Sequence, residues 1–305
     1  METSFDVIVL GAGPAGLTAG LYLARARVKA LVLDTGSAGG QVILSHQIAN
    51  YPGAPEISGS QLARTMLKQA RAFGCTVLTQ AQITAMDLAS PLKRVEVEGE
   101  GTFTAKAVIL ATGGRSRTLG LESETRLRGK GISYCATCDG DFFTDKEIVA
   151  IGGGNSALEE SVSLTKYASK VTIIHEFDHF QAQAWAVEEA QRNPKISFLM
   201  NQRVLEFQGG ENLEAVVSQD KVSGQITRLP AAGAFVFIGY VPNTESLHGA
   251  VACNERGEIL TNEALATNVP GVFAAGDCRV KRYRQITTAV SDGTIAASSA
   301  MEFLR

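Results

Sequence analysis

The chain has 305 residues, room for two domains with separate cores. A composition of 45% hydrophobic and 19% charged residues excludes a disordered chain, and a net charge of -3 excludes binding to nucleic acid through a broad Lys/Arg surface. The apolar runs are broken by glycine or polar residues before they reach membrane-spanning length. The beginning, METSFDVIVLGAG, has neither a basic n-region nor a cleavage site, so the expectation is a soluble, cytoplasmic protein.

Residues 5 to 34 predict an apolar strand (FDVIVL), a glycine turn, a small-residue helix (AGLTAGLYLARAR) and a second strand (ALVLD), one complete β-α-β unit. The turn, GAGPAG, sets Gly11, Gly13 and Gly16 in the G-x-G-x-x-G pattern. Gly11 permits the tight turn, Gly13 lets a pyrophosphate approach the backbone, and Gly16 lets helix and strand pack closely. The pattern alone is weak. Asp34, ending the next strand, stands near the roughly 20-residue spacing at which a carboxylate takes a ribose diol. The turns SAGGQ (37 to 41) and YPG (51 to 53) either simply connect elements or touch a nucleotide held at this loop.

Two further apolar runs end in small residues, AKAVILATGG (105 to 114) and GVFAAGD (271 to 277); such loops let backbone approach a ligand. Between them, YCATCDGDFF holds Cys135 and Cys138 in a C-x-x-C pair. A metal site needs about four ligands, and no second Cys or His pair has zinc spacing. His46, His175, His179, His248 and Trp185 read as packing or surface groups, and no metal is expected. Two buried structural thiols would need no neighbouring acid. Dithiol chemistry needs a thiolate, a second sulfur to resolve the mixed disulfide and a proton carrier, so the redox reading also accounts for Asp139.

Residues 147 to 176 repeat the order strand, glycine loop, helix, strand, an internal duplication of the first unit. GGGNSA places Gly152, Gly154 and Ala157 in the G-x-G-x-x-A variant, with Asn155 and Ser156 between them. A second adenine nucleotide is expected there, against the alternative of a vestigial loop. The following strand ends in His175, Glu176, Phe177 and Asp178. A 2′-phosphate requires Arg or Lys, and a carboxylate a few ångströms away repels it by roughly 1 kcal/mol in water and several times more in a partly dry cleft. Glu176 stands where a diol-binding acid belongs, so this site suits NADH or the adenosine half of FAD and disfavours NADPH. Two basic runs remain, Arg115, Arg117, Arg126, Arg128 and Lys130, and then Arg279, Lys281, Arg282 and Arg284; they are either solvated faces or a steering surface for an acidic partner. Cys278 lies in sequence beside the AAGD loop.

Together, GAGPAG, GGQ, YPG, ATGG, CATCDG, IGGGNSALEE, FVFIGYVPNT, PGVFAAGD and YRQITTAVSDG resemble the thioredoxin reductase family of low-molecular-weight flavoproteins, over nearly the whole chain. The resemblance implies an α/β fold of two Rossmann-like domains, the second inserted into a discontinuous FAD domain. The expected boundaries are residues 1 to 116 with 242 to 305 for FAD, and 117 to 241 for the NAD(P)-type domain carrying the dithiol. It implies FAD held by Gly11, Gly13, Pro14, Ala15, Asp34, Thr35, Gly36, Gly40, Gln41, Asn50, Ala111, Thr112, Gly113, Gly276, Asp277, Arg284, Gln285, Ile286 and Thr287. It further implies that Cys138 faces the flavin, Cys135 exchanges with a partner disulfide, Asp139 moves the proton, and the protein is a homodimer.

The departure is at the second nucleotide. Where NADPH-using members carry HRR and a further Arg, this chain has His175, Glu176, Phe177 and Gln181. The pattern resembles the pyridine-nucleotide-independent branch, with ferredoxin or a second bound FAD in place of NADPH. The leading expectation is a flavoprotein disulfide oxidoreductase acting with thioredoxin or a similar dithiol protein. An oxygen-using dithiol oxidase, an NAD(P)H-dependent thioredoxin reductase and a non-catalytic flavin sensor stand as alternatives.

Overall fold

The computed structural model describes residues 3 to 45, 47 to 54, 56 to 247 and 249 to 305. His46 and His248 lie outside the described residues. The chain forms two compact units, residues 1 to 115 with 241 to 305, and residues 116 to 240. Among the described residues, no helix is long and apolar enough to cross a membrane.

The first unit begins with β1 (Val7–Leu10), α1 (Pro14–Arg25), β2 (Ala30–Leu33), α2 (Gly59–Ala72) and β3 (Thr76–Leu78). A small antiparallel sheet of β4 (Ile83–Asp87), β5 (Lys93–Val97) and β6 (Gly101–Ala105) follows, then β7 (Ala107–Leu110) and the crossing strand β8 (Gly114–Ser116). The second unit contains α3 (Glu122–Leu127), β9 (Ile132–Ser133), α4 (Ala136–Asp139), β10 (Glu147–Ile151), α5 (Asn155–Leu164), β11 (Lys170–Ile174), α6 (Ala184–Arg192) and β12 (Ile196–Leu199). It closes with β13 (Gln202–Gln208), β14 (Ala215–Asp220), β15 (Ile226–Pro230) and β16 (Gly233–Val236). The chain returns through β17 (Tyr240–Pro242) and ends with β18 (Val272–Ala274) and α7 (Ile286–Phe303).

The main sheet of the first unit is parallel, in the order β18-β7-β1-β2-β3. Its central strands, VIVL, ALVL and AVIL, are buried along their whole length, which is why they read as unbroken apolar runs and do not alternate. Register aligns their carboxyl ends: Leu10 pairs with both Leu33 and Leu110. The loops after β1, β2 and β7 therefore emerge at one edge, at the switch point where the strand order reverses.

The second unit repeats this plan, with parallel order β12-β11-β10-β16-β9 and Ile151 paired with Ile174 and Val236. Strand β11 ends at Ile174, one residue before His175, whose N–H still donates to the Leu199 carbonyl at 2.9 Å. The antiparallel sheet β13-β14-β15 is a hairpin array that carries no glycine signature; its central strand β14 is buried over Ala215 to Ser218 and its edge strand β15 is largely exposed.

Candidate active site

In the first unit, Gly11 has φ +110°, and a Cβ there would lie 2.2 Å from the Ala111 carbonyl oxygen. Only glycine lets the phosphate loop approach the end of β7 this closely. Helix α1 starts at Gly13 with no side-chain cap and Pro14 in its first turn, leaving that end suited to an anion. Asp34 accepts the Ala12 N–H at 2.6 Å and the Gly36 N–H at 2.7 Å. An ionised carboxylate offers about four acceptor sites, so it retains capacity for a ribose diol.

The SAGGQ turn is part of the same edge. The Gly39 N–H donates to the Ala12 carbonyl at 2.7 Å, and a Cβ on Gly13 would meet the Gly40 Cα at 4.0 Å. Asn50 Nδ2 donates to Gln285 Oε1 at 3.4 Å, and Ile286 packs on Val42, Ile48 and Leu62, so residues far apart in sequence converge beside this turn. Thr35, Gln41 and Thr287 are exposed. A Cβ on Gly276 would stand 2.9 Å from that of Ala15, which brings the Gly276 and Asp277 loop against the start of α1. Burial raises the Asp277 carboxyl above the usual carboxylate range, opposed by Lys281 and Arg284. A close glycine cradle, a carboxylate with spare acceptors and a second acid beside the loop are the chemistry that a flavin dinucleotide needs, and these residues fit it.

Asn243 and Asp292 lie inside the FVFIGYVPNT and YRQITTAVSDG motifs, which assign them no role. Asn243 holds the Ala111 to Gly113 loop, donating from Nδ2 to the Thr112 carbonyl at 3.0 Å and from its amide to the Gly113 carbonyl at 3.0 Å. Asp292 of α7 accepts the Gly276 N–H at 3.0 Å and also takes Lys281 at 2.8 Å and Arg279 at 3.4 Å. Arg284 pairs with Glu258. The basic run at 279 to 284 is therefore corrected: Arg279, Lys281 and Arg284 turn inward, and Arg282, exposed, lies over the Tyr283 ring. Cys278 is fully buried, its Sγ 3.4 Å from the Leu110 and Ala275 carbonyls, as a packing group would be.

In the second unit Cys135 and Cys138 form a disulfide around the single turn α4. Ser133, buried on β9, is a further group that no motif marked, a hydroxyl serving two partners. It donates to Asp139 Oδ2 at 2.5 Å and accepts the Cys135 N–H at 3.1 Å. Burial raises the Asp139 carboxyl, Ser133 opposes that shift and Asp141 adds to it. Thr137 Oγ1 lies 3.6 Å from Cys135 Sγ. Among the described residues no His/Cys/Asp/Glu group could hold a metal.

The second glycine loop sits over His175. A Cβ on Gly153 would be 2.2 Å from that ring, and His175 is buried, stacked on Phe180 at 5.8 Å. Burial lowers its pKa, so the imidazole is neutral at physiological pH. The Gln181 N–H donates to the Gly153 carbonyl at 2.9 Å, and Asn155 Oδ1 accepts the Gln183 N–H at 2.7 Å, folding the strand end back along the loop. Gly152 has φ +139°, Gly154 caps α5 without a side-chain bond, Ser156 is exposed and Ala157 buried. Glu176 and Phe177 face solvent. Lys221, which no sequence pattern marked, reaches Glu176 Oε1 at 3.3 Å.

Two parallel-sheet units with dinucleotide-type loops, together with a C-x-x-C disulfide beside a half-buried acid, define a nucleotide-dependent disulfide oxidoreductase. Residues 5 to 293 match the pyridine nucleotide-disulphide oxidoreductase family. The thioredoxin reductase of Peptoclostridium acidaminophilum is 42% identical over 311 residues, covering 100% of this chain and 98% of the relative. That of Bacillus subtilis is 40% identical over 308 residues, covering 99% and 96%. The crystal structure of thioredoxin reductase from Streptococcus pyogenes superposes with a TM-score of 0.96 at 36% identity, covering 100% of this chain and 99% of that one. The chain belongs to the thioredoxin reductase family and is a flavin-dependent disulfide oxidoreductase.

Proposed function

We propose that this enzyme passes electrons between FAD at the Gly11 to Ala15 loop and a small dithiol protein, thioredoxin or one like it, through Cys135 and Cys138. Its other electron partner is not NADPH but either reduced ferredoxin or a second FAD at the Gly152 to Ala157 loop. The names of its relatives support thioredoxin. The observation that carries the second clause is Glu176, an exposed carboxylate just beyond the end of β11, where a 2′-phosphate would require cations. The homodimeric state carries over from the family resemblance.

The chain's own chemistry is thiol exchange. In the reducing direction the Cys135 thiolate attacks a partner disulfide sulfur, forming a mixed disulfide and expelling a partner thiolate, which takes a proton from Asp139. The Cys138 thiolate then attacks the Cys135 sulfur, restores the internal disulfide and releases the second partner thiolate, which water protonates. The raised Asp139 pKa keeps that proton in place at a pH where an ordinary carboxyl has lost it. When bound, FAD supplies the two-electron exchange with the Cys135–Cys138 pair. The Asp34 carboxylate and the start of α1 bind and orient it.

Denaturing the enzyme and counting released flavin per chain tests the donor. A value of two supports the second flavin, and a value near one leaves ferredoxin as the proposed donor, to be tried with NADH and NADPH under anaerobic conditions. Rapid bleaching of the flavin by micromolar NADPH would overturn the second clause.

A further inference from the structure

At the end of β11 the fold adds a lysine beside the acid Glu176 that the strand's own end supplies. Lys221 opens the turn between β14 and β15, and its position is built from the backbone. Its N–H donates to the Asn201 carbonyl at 2.8 Å, and the Asn201 N–H donates to the Phe177 carbonyl at 3.0 Å, with Asn201 itself at φ +57°. Asp220 Oδ1 closes the turn by accepting the Val222 and Ser223 amides at 2.9 and 2.7 Å, and Gln202 secures the other oxygen at 3.1 Å. The hairpin tip is thus tied to the strand end through one intermediate residue. The Lys221 ammonium lies 3.3 Å from both Glu176 Oε1 and the Glu176 carbonyl, and 5.3 Å from the centre of the Phe177 ring.

We propose that Lys221 is a specificity-determining residue of the second nucleotide site, a phosphate-competent cation that Glu176 holds silent. The proposal rests on the reading that the Gly152 to Ala157 loop holds an adenine nucleotide. With Glu176 ionised, the pair presents no net positive charge, and the carboxylate repels a 2′-phosphate while offering acceptors to a free ribose diol. The side chains are 40% and 57% exposed, so the pair is worth little as a stabilising contact and a ligand can open it. Its consequence lies in selection. The missing cations of an NADPH site are only partly missing, and a single neutralisation at Glu176 should restore a 2′-phosphate contact.

The test titrates holoenzyme with 5′-ADP and 2′,5′-ADP by calorimetry, while flavin fluorescence reports displacement of any flavin from this site. Wild type is expected to favour 5′-ADP. Glu176→Gln should tighten 2′,5′-ADP by about tenfold and reverse the preference, and adding Lys221→Met should abolish the gain. An unchanged preference in Glu176→Gln, with 5′-ADP still binding, overturns the inference and leaves the site reading standing. A gain that survives Lys221→Met overturns the role of Lys221. A holoenzyme with one flavin per chain that binds neither nucleotide defeats the site reading and the inference with it. If two flavins are retained and neither nucleotide displaces one, unchanged flavin retention in Glu176→Gln also overturns the inference.

Discussion

Ser133 Oγ is both acceptor from the Cys135 amide and donor to Asp139, so one hydroxyl orients the thiol turn and the acid together. Nothing in the spacing of C-x-x-C marked it, because the bond joins β9 to α4 through geometry that a pattern does not contain. Ser133→Ala removes a hydrogen bond to a partly buried carboxyl, a contribution of about 0.5 to 1.5 kcal/mol. The sign follows from Asp139: its folded pKa is already raised, and losing the donor raises it further. The native state then holds the proton to higher pH than the unfolded state does, so stability falls as pH rises from the unfolded carboxyl range through the raised folded value. Urea unfolding should show a larger loss for Ser133→Ala at pH 7 than at pH 4. The alkaline limb of dithiol exchange that depends on protonated Asp139 should also move upward. A pH-independent loss with an unmoved limb would mean that Ser133 only packs.

At the scale of elements, α7 is fastened to the Gly276 loop by Asp292, whose Oδ2 takes an amide and two cations. The Lys281 and Asp292 side chains are 8% and 11% exposed, so this is a buried pair, and breaking one partner leaves an uncompensated charge. Lys281→Met is expected to destabilise the protein by about 3 kcal/mol in urea unfolding, with Arg279 limiting the loss, and to weaken FAD retention on dilution. A variant of wild-type stability that keeps its flavin would show the network to be dispensable. From the sequence these cations are either a solvated face or a steering surface, because a run of basic residues carries no sign of which acid the fold will set against it. Tertiary packing supplies that acid.

Across the whole molecule, the two units carry separate cores and separate glycine loops, so a ligand of one should protect that one first. Stripping FAD should lower the unfolding transition of residues 1 to 115 with 241 to 305, by about 2.7 kcal/mol relative to enzyme at a hundredfold excess of FAD over its Kd. In enzyme that carries one flavin per chain, limited proteolysis should then cut the first unit earlier while the second keeps its pattern, and the reverse order would place that flavin in the second unit. The β-α-β order, the two glycine loops, the C-x-x-C pair and the acid at 176 were all legible in the sequence, because each is written in residues close together along the chain and obeys a local steric or periodic rule. Lys221 at Glu176, Ser133 at Asp139, Asn243 on the Thr112 loop and Asp292 beneath Gly276 were decided only by the tertiary structure. Each is a hydrogen bond or ion pair between elements whose meeting depends on strand order and register, and one residue type at one position does not disclose what the fold will set against it.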